Sequence, residues 1–216
     1  MPSELQSQYR AEMVRDQIVA RGVTDPLTVA AMSKVPRDRF VAETLIDQAY
    51  GDHPLPLSSG QTISQPYIVA LSTQLAEPAP GKHALDIGTG SGYQAAVLAE
   101  ICQRVDSVEV VPELADRARA TLRDLGYRNA FVHLTDGSKG WPAAAPYDVI
   151  VAAAAPRQIP PALIEQLAPG GRLVLPVGDI DQYLVVVEKD FSGVVRTTRH
   201  CAVRYVPMIS ADPAGH

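Results

Sequence analysis

Three carboxylates set among glycines carry most of the legible chemistry of this sequence. The stretch ALDIGTGSGYQAAVLAE, Ala84 to Glu100, reads as a buried strand, a glycine-rich turn and a helix. Gly88, Gly90 and Gly92 let the backbone turn sharply and approach a ligand with no Cβ in the way, and Thr89 and Ser91 sit between them. A dinucleotide loop follows G-x-G-x-x-G and seats a pyrophosphate on the next helix N-terminus. Here the third glycine comes one place early and Tyr93 holds the dinucleotide position, which favours a ligand without a pyrophosphate. Glu109 closes the next apolar run, DSVEVVPEL, where a carboxylate can take both hydroxyls of a ribose. Asp136, followed by Gly137, closes the run after that, HLTDG, where it can meet an adenine amine. Asp86 lies within the first run, below the loop. Carboxylates grouped at the ends of adjacent strands repel phosphates and suit a cationic, adenosine-bearing ligand. S-adenosylmethionine, with a sulfonium, an ammonium, a ribose and an adenine, has that make-up.

A second constellation precedes the first. SSGQTISQPYIVALSTQL, Ser58 to Leu75, ends as an amphipathic helix but begins with short hydroxyls and amides. Ser64 before Gln65-Pro66 suits a helix start, with the serine oxygen capping free N–H groups and proline in the first turn. Capping uses one residue and leaves Gln61, Thr62 and Gln65 for other work. Cys102, Cys201 and five scattered histidines show neither metal-ligand spacing nor a disulfide framework, so no metal is expected.

The elements that hold these residues follow from periodicity. From His83, short apolar runs (HALDI, DSVEVV, AFVHL, YDVIVA, GRLVLPV, QYLVVVE) alternate with helical segments at 93–103, 112–125 and 159–168. That alternation predicts a mostly parallel sheet with covering helices. After Gly178 the helices stop, and Gln182–Glu188 and about Thr197–Val206 read as strands joined by KDFSGV. Residues 1 to about 80 read as helices and loops, with Thr24 or Asp25 capping a short helix that has Pro26 in its first turn.

Composition narrows the function. At 216 residues one domain is expected, and a net charge of −5 with no basic run argues against a dedicated nucleic-acid binder. The polar N-terminus is not a signal peptide, and the longest apolar run, VIVAAAA, is far short of the roughly 20 residues of a spanning helix. No membrane association and a cytoplasmic location are expected, with the cysteines as reduced thiols.

Taken along the chain, VPRDRFV, AYGDHPLPL, GQTISQPY, DIGTGSGYQAAVLA, DGSKGWP, APGGRLVLPVG and VRYVPM resemble the protein-L-isoaspartate O-methyltransferase family, in that family's order from about residue 13 to residue 208. The glycine loop is shared with many methyltransferases; GQTISQP together with VRYVPM is specific to this family. Departures are small: Asp86 for a more usual glutamate, Thr135 for a frequent glycine, and Leu57-Ser58 for Ile-Gly.

The resemblance implies an α/β, Rossmann-like class I methyltransferase: a doubly wound, mostly parallel sheet with an antiparallel C-terminal strand and an N-terminal helical extension. Residues 1–80 would form a helical cap and substrate-side loop, and 81–216 the S-adenosylmethionine-binding core of one domain. It implies methylation of the α-carboxylate of L-isoaspartyl residues in damaged peptides and proteins by a protein that works as a monomer. Ser64 matches the serine assigned the catalytic position. Gln61, Thr62, Ile63 and Ser64, with Val206 and Pro207 as an opposite wall, are the expected peptide contacts. Asp86, Gly88, Thr89, Gly90, Ser91, Gly92, Glu109, Asp136 and Gly137 are the expected cofactor contacts. Two other readings compete: a carboxyl methyltransferase for a dedicated peptide, whose relatives tend to carry an added C-terminal domain, and a non-catalytic S-adenosylmethionine-binding module, which would have lost GQTISQP.

Overall fold

The computed structural model describes residues 4–209. Its centre is a seven-stranded sheet built from the β-branched runs: β3 (His83–Ile87), β4 (Arg104–Glu109), β5 (Ala130–Leu134), β6 (Tyr147–Ala152), β7 (Leu167–Val177), β8 (Gln182–Lys189) and β9 (Val195–Val203). The order across the sheet is β5-β4-β3-β6-β7-β8-β9. The first five pair in parallel, whereas β8 runs antiparallel to both neighbours. This is the mostly parallel sheet with a reversed strand near its end that the sequence predicts, closed by a hairpin.

Strands covered on both faces bury consecutive residues, which pack alternately above and below the sheet. Val149, Val151 and Val174 join one apolar cluster, while Ile150, Ala152, Leu173 and Leu175 join another. The first face carries α3 (Pro66–Ala76), α4 (Tyr93–Ala99) and α5 (Pro112–Asp124). In α5 the buried residues are Leu114, Ala115, Ala118 and Leu122, a stripe at helical spacing on an otherwise polar helix. The second face is covered by two short 3-10 turns, at 137–139 and 142–144, and the five-residue helix α6 (Pro161–Glu165). The helices are shorter than their sequence periodicity suggests, because Glu100 and Gln166 already end α4 and α6.

The chain leaves β3 toward β4 on one side and, after β5, returns to pair β6 on the other side of β3. Strand order reverses between β3 and β6, and in open α/β sheets ligands bind in the crevice outside the carboxyl ends of strands at such a point. The loops that follow Ile87 and Ala152 are therefore brought side by side: Ala153 N–H donates to Ile87 C=O at 2.8 Å.

Before the sheet, α1 (Glu4–Glu12) runs on into a π-helical stretch, Met13–Ile18, and a 3-10 turn, Val19–Arg21. The helix α2 (Pro26–Lys34) starts as expected, with Asp25 accepting from Thr28 N–H at 2.7 Å and Pro26 in the first turn. Two expectations are corrected here. The region taken as loop contains a small antiparallel ladder, β1 (Leu55–Pro56) with β2 (Thr62–Ile63). Because β2 holds the chain extended, the cap position of α3 falls on Gln65 rather than Ser64. Gln65 makes no side-chain cap, its amide donating instead to Asp52 C=O at 3.1 Å. Among the described residues no helix is long and apolar enough to cross a membrane.

Candidate active site

The glycine loop is pinned from both sides. Gly88 and Thr89 N–H groups donate to Val108 C=O at 2.9 and 3.1 Å, and Gly90 N–H donates to Glu109 Oε2 at 2.8 Å. The other Glu109 oxygen accepts from Val110 and Val111 N–H at 2.9 and 3.0 Å. Glu109 is thus a buried strand-end carboxylate that fixes the loop's tip, with about one lone pair left over because a carboxylate accepts about four hydrogen bonds and three are taken.

Beneath the loop lies a polar chain. Ser107 Oγ donates to Asp86 Oδ2 at 2.7 Å and also meets Thr89 Oγ1, and Asp86 is fully buried. Asp86 Oδ1 has no hydrogen-bond partner. Burial pushes the Asp86 carboxyl up to about 7, against the Ser107 hydrogen bond and with the repulsion of Glu109 adding to the rise. An unfolded aspartate titrates near about 3.9, so between about pH 4 and 7 the folded chain keeps a proton that the unfolded chain releases. Stability from this group is complete below about pH 4 and is lost as pH rises through 7. Asp86→Asn should therefore flatten this slope and leave the protein more stable than the parent at pH 8, by on the order of 1–3 kcal/mol. Urea unfolding of both at pH 5 and 8 checks this; equal slopes would show that Asp86 is not the group responsible.

A cleft opens over the loop, lined by Gly88, Gly90, Glu109 and Gly137, by Gln61 and Thr62 from one side and by Val206 to Ile209 from the other. Ile87, Val108 and Val110 give it an apolar wall. A second hollow adjoins it, sharing Thr62, Gly88, Gly90 and Ala153, and is lined further by Ile63, Ser64, Thr89, Ser91, Gln94 and Tyr205. Among the described residues no lysine or arginine lines either part, and Glu109 is the single charged side chain of the lining.

Most of the residues singled out from the sequence therefore converge on one crevice, and three stand apart. Gly92 faces α5, where a Cβ would make only ordinary contacts with Ala118 at 3.4 Å and Leu122 at 3.5 Å; its φ of 89° is what calls for glycine there. Asp86 lies below the lining. Asp136 is buried behind Gly137, accepting from Ser138 N–H and Oγ at 2.9 and 2.7 Å. The sequence reading missed Tyr205, Gln94 and Met208. Tyr205 and Met208 stand in VRYVPM, so that motif was their one available signal.

The histidines lie elsewhere. His133 Nε2 and His83 Nε2 each meet buried Asp106 at 2.6 Å, and His133 stacks on Trp141 with ring centres 4.1 Å apart. Burial alone would raise Asp106, but hydrogen bonds from Arg104, His133 and His83 outweigh it and hold the carboxyl below its ordinary range. His53 is exposed, with Nδ1 3.1 Å from Pro54 O. Among the described residues no group of histidine, cysteine, aspartate or glutamate could hold a metal ion.

A reversed-strand α/β sheet with a glycine loop at its switch point, pinned by a strand-end carboxylate, is the architecture of the Rossmann-like class I methyltransferases. The family described as protein-L-isoaspartate(D-aspartate) O-methyltransferase matches residues 8–212. The chain belongs to that family. It is 52% identical over 199 residues to protein-L-isoaspartate O-methyltransferase of Picosynechococcus, covering 92% of this chain and 89% of the relative. It is 50% identical over 206 residues to the enzyme of that name from Gloeobacter violaceus, covering 94% of this chain and all of the relative. A solved protein-L-isoaspartate O-methyltransferase superposes with a TM-score of 0.83 at 26% identity, over 92% of this chain and 65% of the other's length. A Plasmodium falciparum protein assigned to the same activity, solved in complex with S-adenosyl-L-homocysteine, matches the fold with a TM-score of 0.79 at 24% identity, over 94% of this chain and 98% of that one.

Proposed function

We propose that this protein transfers a methyl group from S-adenosylmethionine to the α-carboxylate of L-isoaspartyl residues in damaged proteins. The ester then closes to a succinimide that reopens in part to normal aspartate. The observation that carries this reading is the adjoining hollow, which joins the glycine loop to Thr62, Ile63 and Ser64 and contains hydroxyls and amides but no acid or base. The cleft fits the cofactor by its donor set: an apolar wall for adenine, a carboxylate with about one lone pair free for a ribose hydroxyl, and, among the described residues, no cation to hold a polyphosphate. Gly137, with Asp136 buried behind it, continues the edge proposed for it, and Gly88, Thr89, Gly90 and Ser91 form the floor.

The cofactor supplies an electrophilic methyl group on a sulfonium. The acceptor carboxylate, with a pKa of about 4, is ionised at neutral pH and needs no protein nucleophile and no general base. The chain's contribution is alignment and water exclusion, worth roughly 7–11 kcal/mol in well-oriented reactions. Gln61, Thr62 and Ser64 on one side and Val206-Pro207 on the other would grip the peptide, and Ser64 Oγ would orient the carboxylate. The two free cysteines suit a reducing cytoplasm, where the protein would act as a monomer.

Ser64 provides a clean separation, because its hydroxyl caps no helix. Ser64→Ala should lower kcat about tenfold or more while moving stability by less than about 0.5 kcal/mol, as surface-like changes do. Steady-state kinetics beside thermal unfolding would check it; a loss of activity in step with unfolding would make Ser64 a structural residue. The reading itself is tested by labelled methyl transfer to an isoaspartyl peptide, and no transfer above background would refute it.

A further inference from the structure

The segment after β9 walls both halves of the cleft, and it is held at two points. Ala155 holds one: its N–H donates to Val206 C=O at 2.9 Å and its C=O accepts from Met208 N–H at 2.8 Å. The other is a single side chain. Gln182, the first residue of β8 and buried, accepts from Tyr205 N–H through Oε1 at 2.6 Å and donates from Nε2 to Tyr205 C=O at 3.1 Å. The same Nε2 lies 3.3 Å from Asp179 C=O in the turn before the strand. Both backbone polar groups of Tyr205 are thereby satisfied by one amide, as a neighbouring strand would satisfy them, at the place where the strand pairing has ended. Tyr205 is the residue of this segment that lines the Ser64 hollow, whereas Val206 to Ile209 line the Glu109 side.

We propose that Gln182 is a positioning residue for the acceptor half of the site: it fixes the Tyr205 backbone, and through it the wall that faces Ser64. Reach is the reason a side chain is used. The β8–β9 pairing ends at Gln182 with Val203, so Tyr205 has left the ladder and its N–H and C=O would be costly to bury unpaired. A glutamine extends the ladder by one more rung without continuing the strand, which lets the chain turn back across β6 toward Ala155. The inference rests on the methyltransferase reading for its kinetic consequence but not for its structural one.

The test uses Gln182→Leu, which removes both hydrogen bonds at similar volume, and Gln182→Glu, which still accepts from Tyr205 N–H but no longer donates to its carbonyl. Hydrogen–deuterium exchange across 203–209 should rise in Gln182→Leu, and less in Gln182→Glu. With an isoaspartyl peptide, kcat/KM should fall roughly ten- to a hundredfold in the leucine variant and by an intermediate factor in the glutamate variant, as for a misplaced wall. Calorimetric affinity for S-adenosylhomocysteine should stay within about twofold of the parent, since the Glu109 side keeps its Ala155 anchor. Unchanged exchange at Tyr205, or equal losses in cofactor affinity and turnover, would overturn the proposal. If the parent itself transfers no methyl group to the peptide, the acceptor assignment fails, while exchange and cofactor affinity still judge the clamp.

Discussion

In a labelled-methyl assay on two peptides that differ in one residue, the isoaspartyl peptide is expected to be methylated with a kcat/KM higher than the aspartyl peptide's by on the order of 10⁴. The two differ by one methylene in where the free carboxylate stands relative to the backbone. An apolar pocket separates such a pair poorly, by about 10–200-fold, whereas polar groups fixed for one arrangement are left unpaired by the other. The hollow beside the loop is of the second kind, with Thr62, Ser64, Gln94 and Tyr205 on fixed backbone. Alignment as the source of rate also predicts the pH profile: turnover falls in acid as the acceptor carboxylate protonates near about pH 4, and shows no imidazole requirement near about 6.5. A break near 7 that persists in His53→Asn and His133→Asn but disappears in Asp86→Asn belongs to the buried carboxyl. Equal methylation of the two peptides would refute the acceptor assignment and leave the cofactor site standing. A profile abolished by changing His53 or His133 would reveal a base.

The second large effect is on the cofactor. Glu109→Ala should weaken S-adenosylhomocysteine binding by about a hundredfold or more, from the loss of one to two charge-assisted hydrogen bonds at about 1.5–3 kcal/mol each. The backbone gives a reason to expect the upper end. The same carboxylate holds Gly90, Val110 and Val111 N–H groups, so truncation leaves three donors without their acceptor and frees the loop tip. Glu109→Gln keeps the shape and part of the acceptor capacity and should fall between the two. Parent-like affinity for the alanine variant by calorimetry would remove Glu109 from the ribose site.

What was legible in the sequence was mostly local. A strand, a glycine turn and a helix are contiguous, so ALDIGTGSGYQ announced both the sheet and the crevice, and the β-branched runs marked all seven strands. Asp25-Pro26 announced its own helix cap. The failures come from contacts that skip along the chain. Ser64 read as a cap because a serine before Gln-Pro is good helix-start chemistry; pairing of Thr62-Ile63 with Leu55-Pro56 shifted that position by one. Gly92 stands in the glycine turn as read, but what its open face meets, Ala118 and Leu122, more than twenty residues away, could not be read from the turn. Gln182 carries no local signal at all, since a glutamine opening a strand looks like any solvated strand end until its partner is known.

The reversal of β8 has a consequence in time. β8 leads away from the loop's end of the sheet and β9 carries the chain back to it, where Gln61 to Ser64 lie, so the crevice is walled by segments made about 140 residues apart in a sequence translated from the N-terminus. The glycine loop and its pinning carboxylate are complete once β4 has been made, but the wall facing Ser64 is among the last parts of the described chain to emerge from the ribosome. A nascent chain therefore has a floor for its ligand long before it has an enclosure. Enclosure of the crevice waits on Tyr205 to Ile209, the part of the described chain that walls it last.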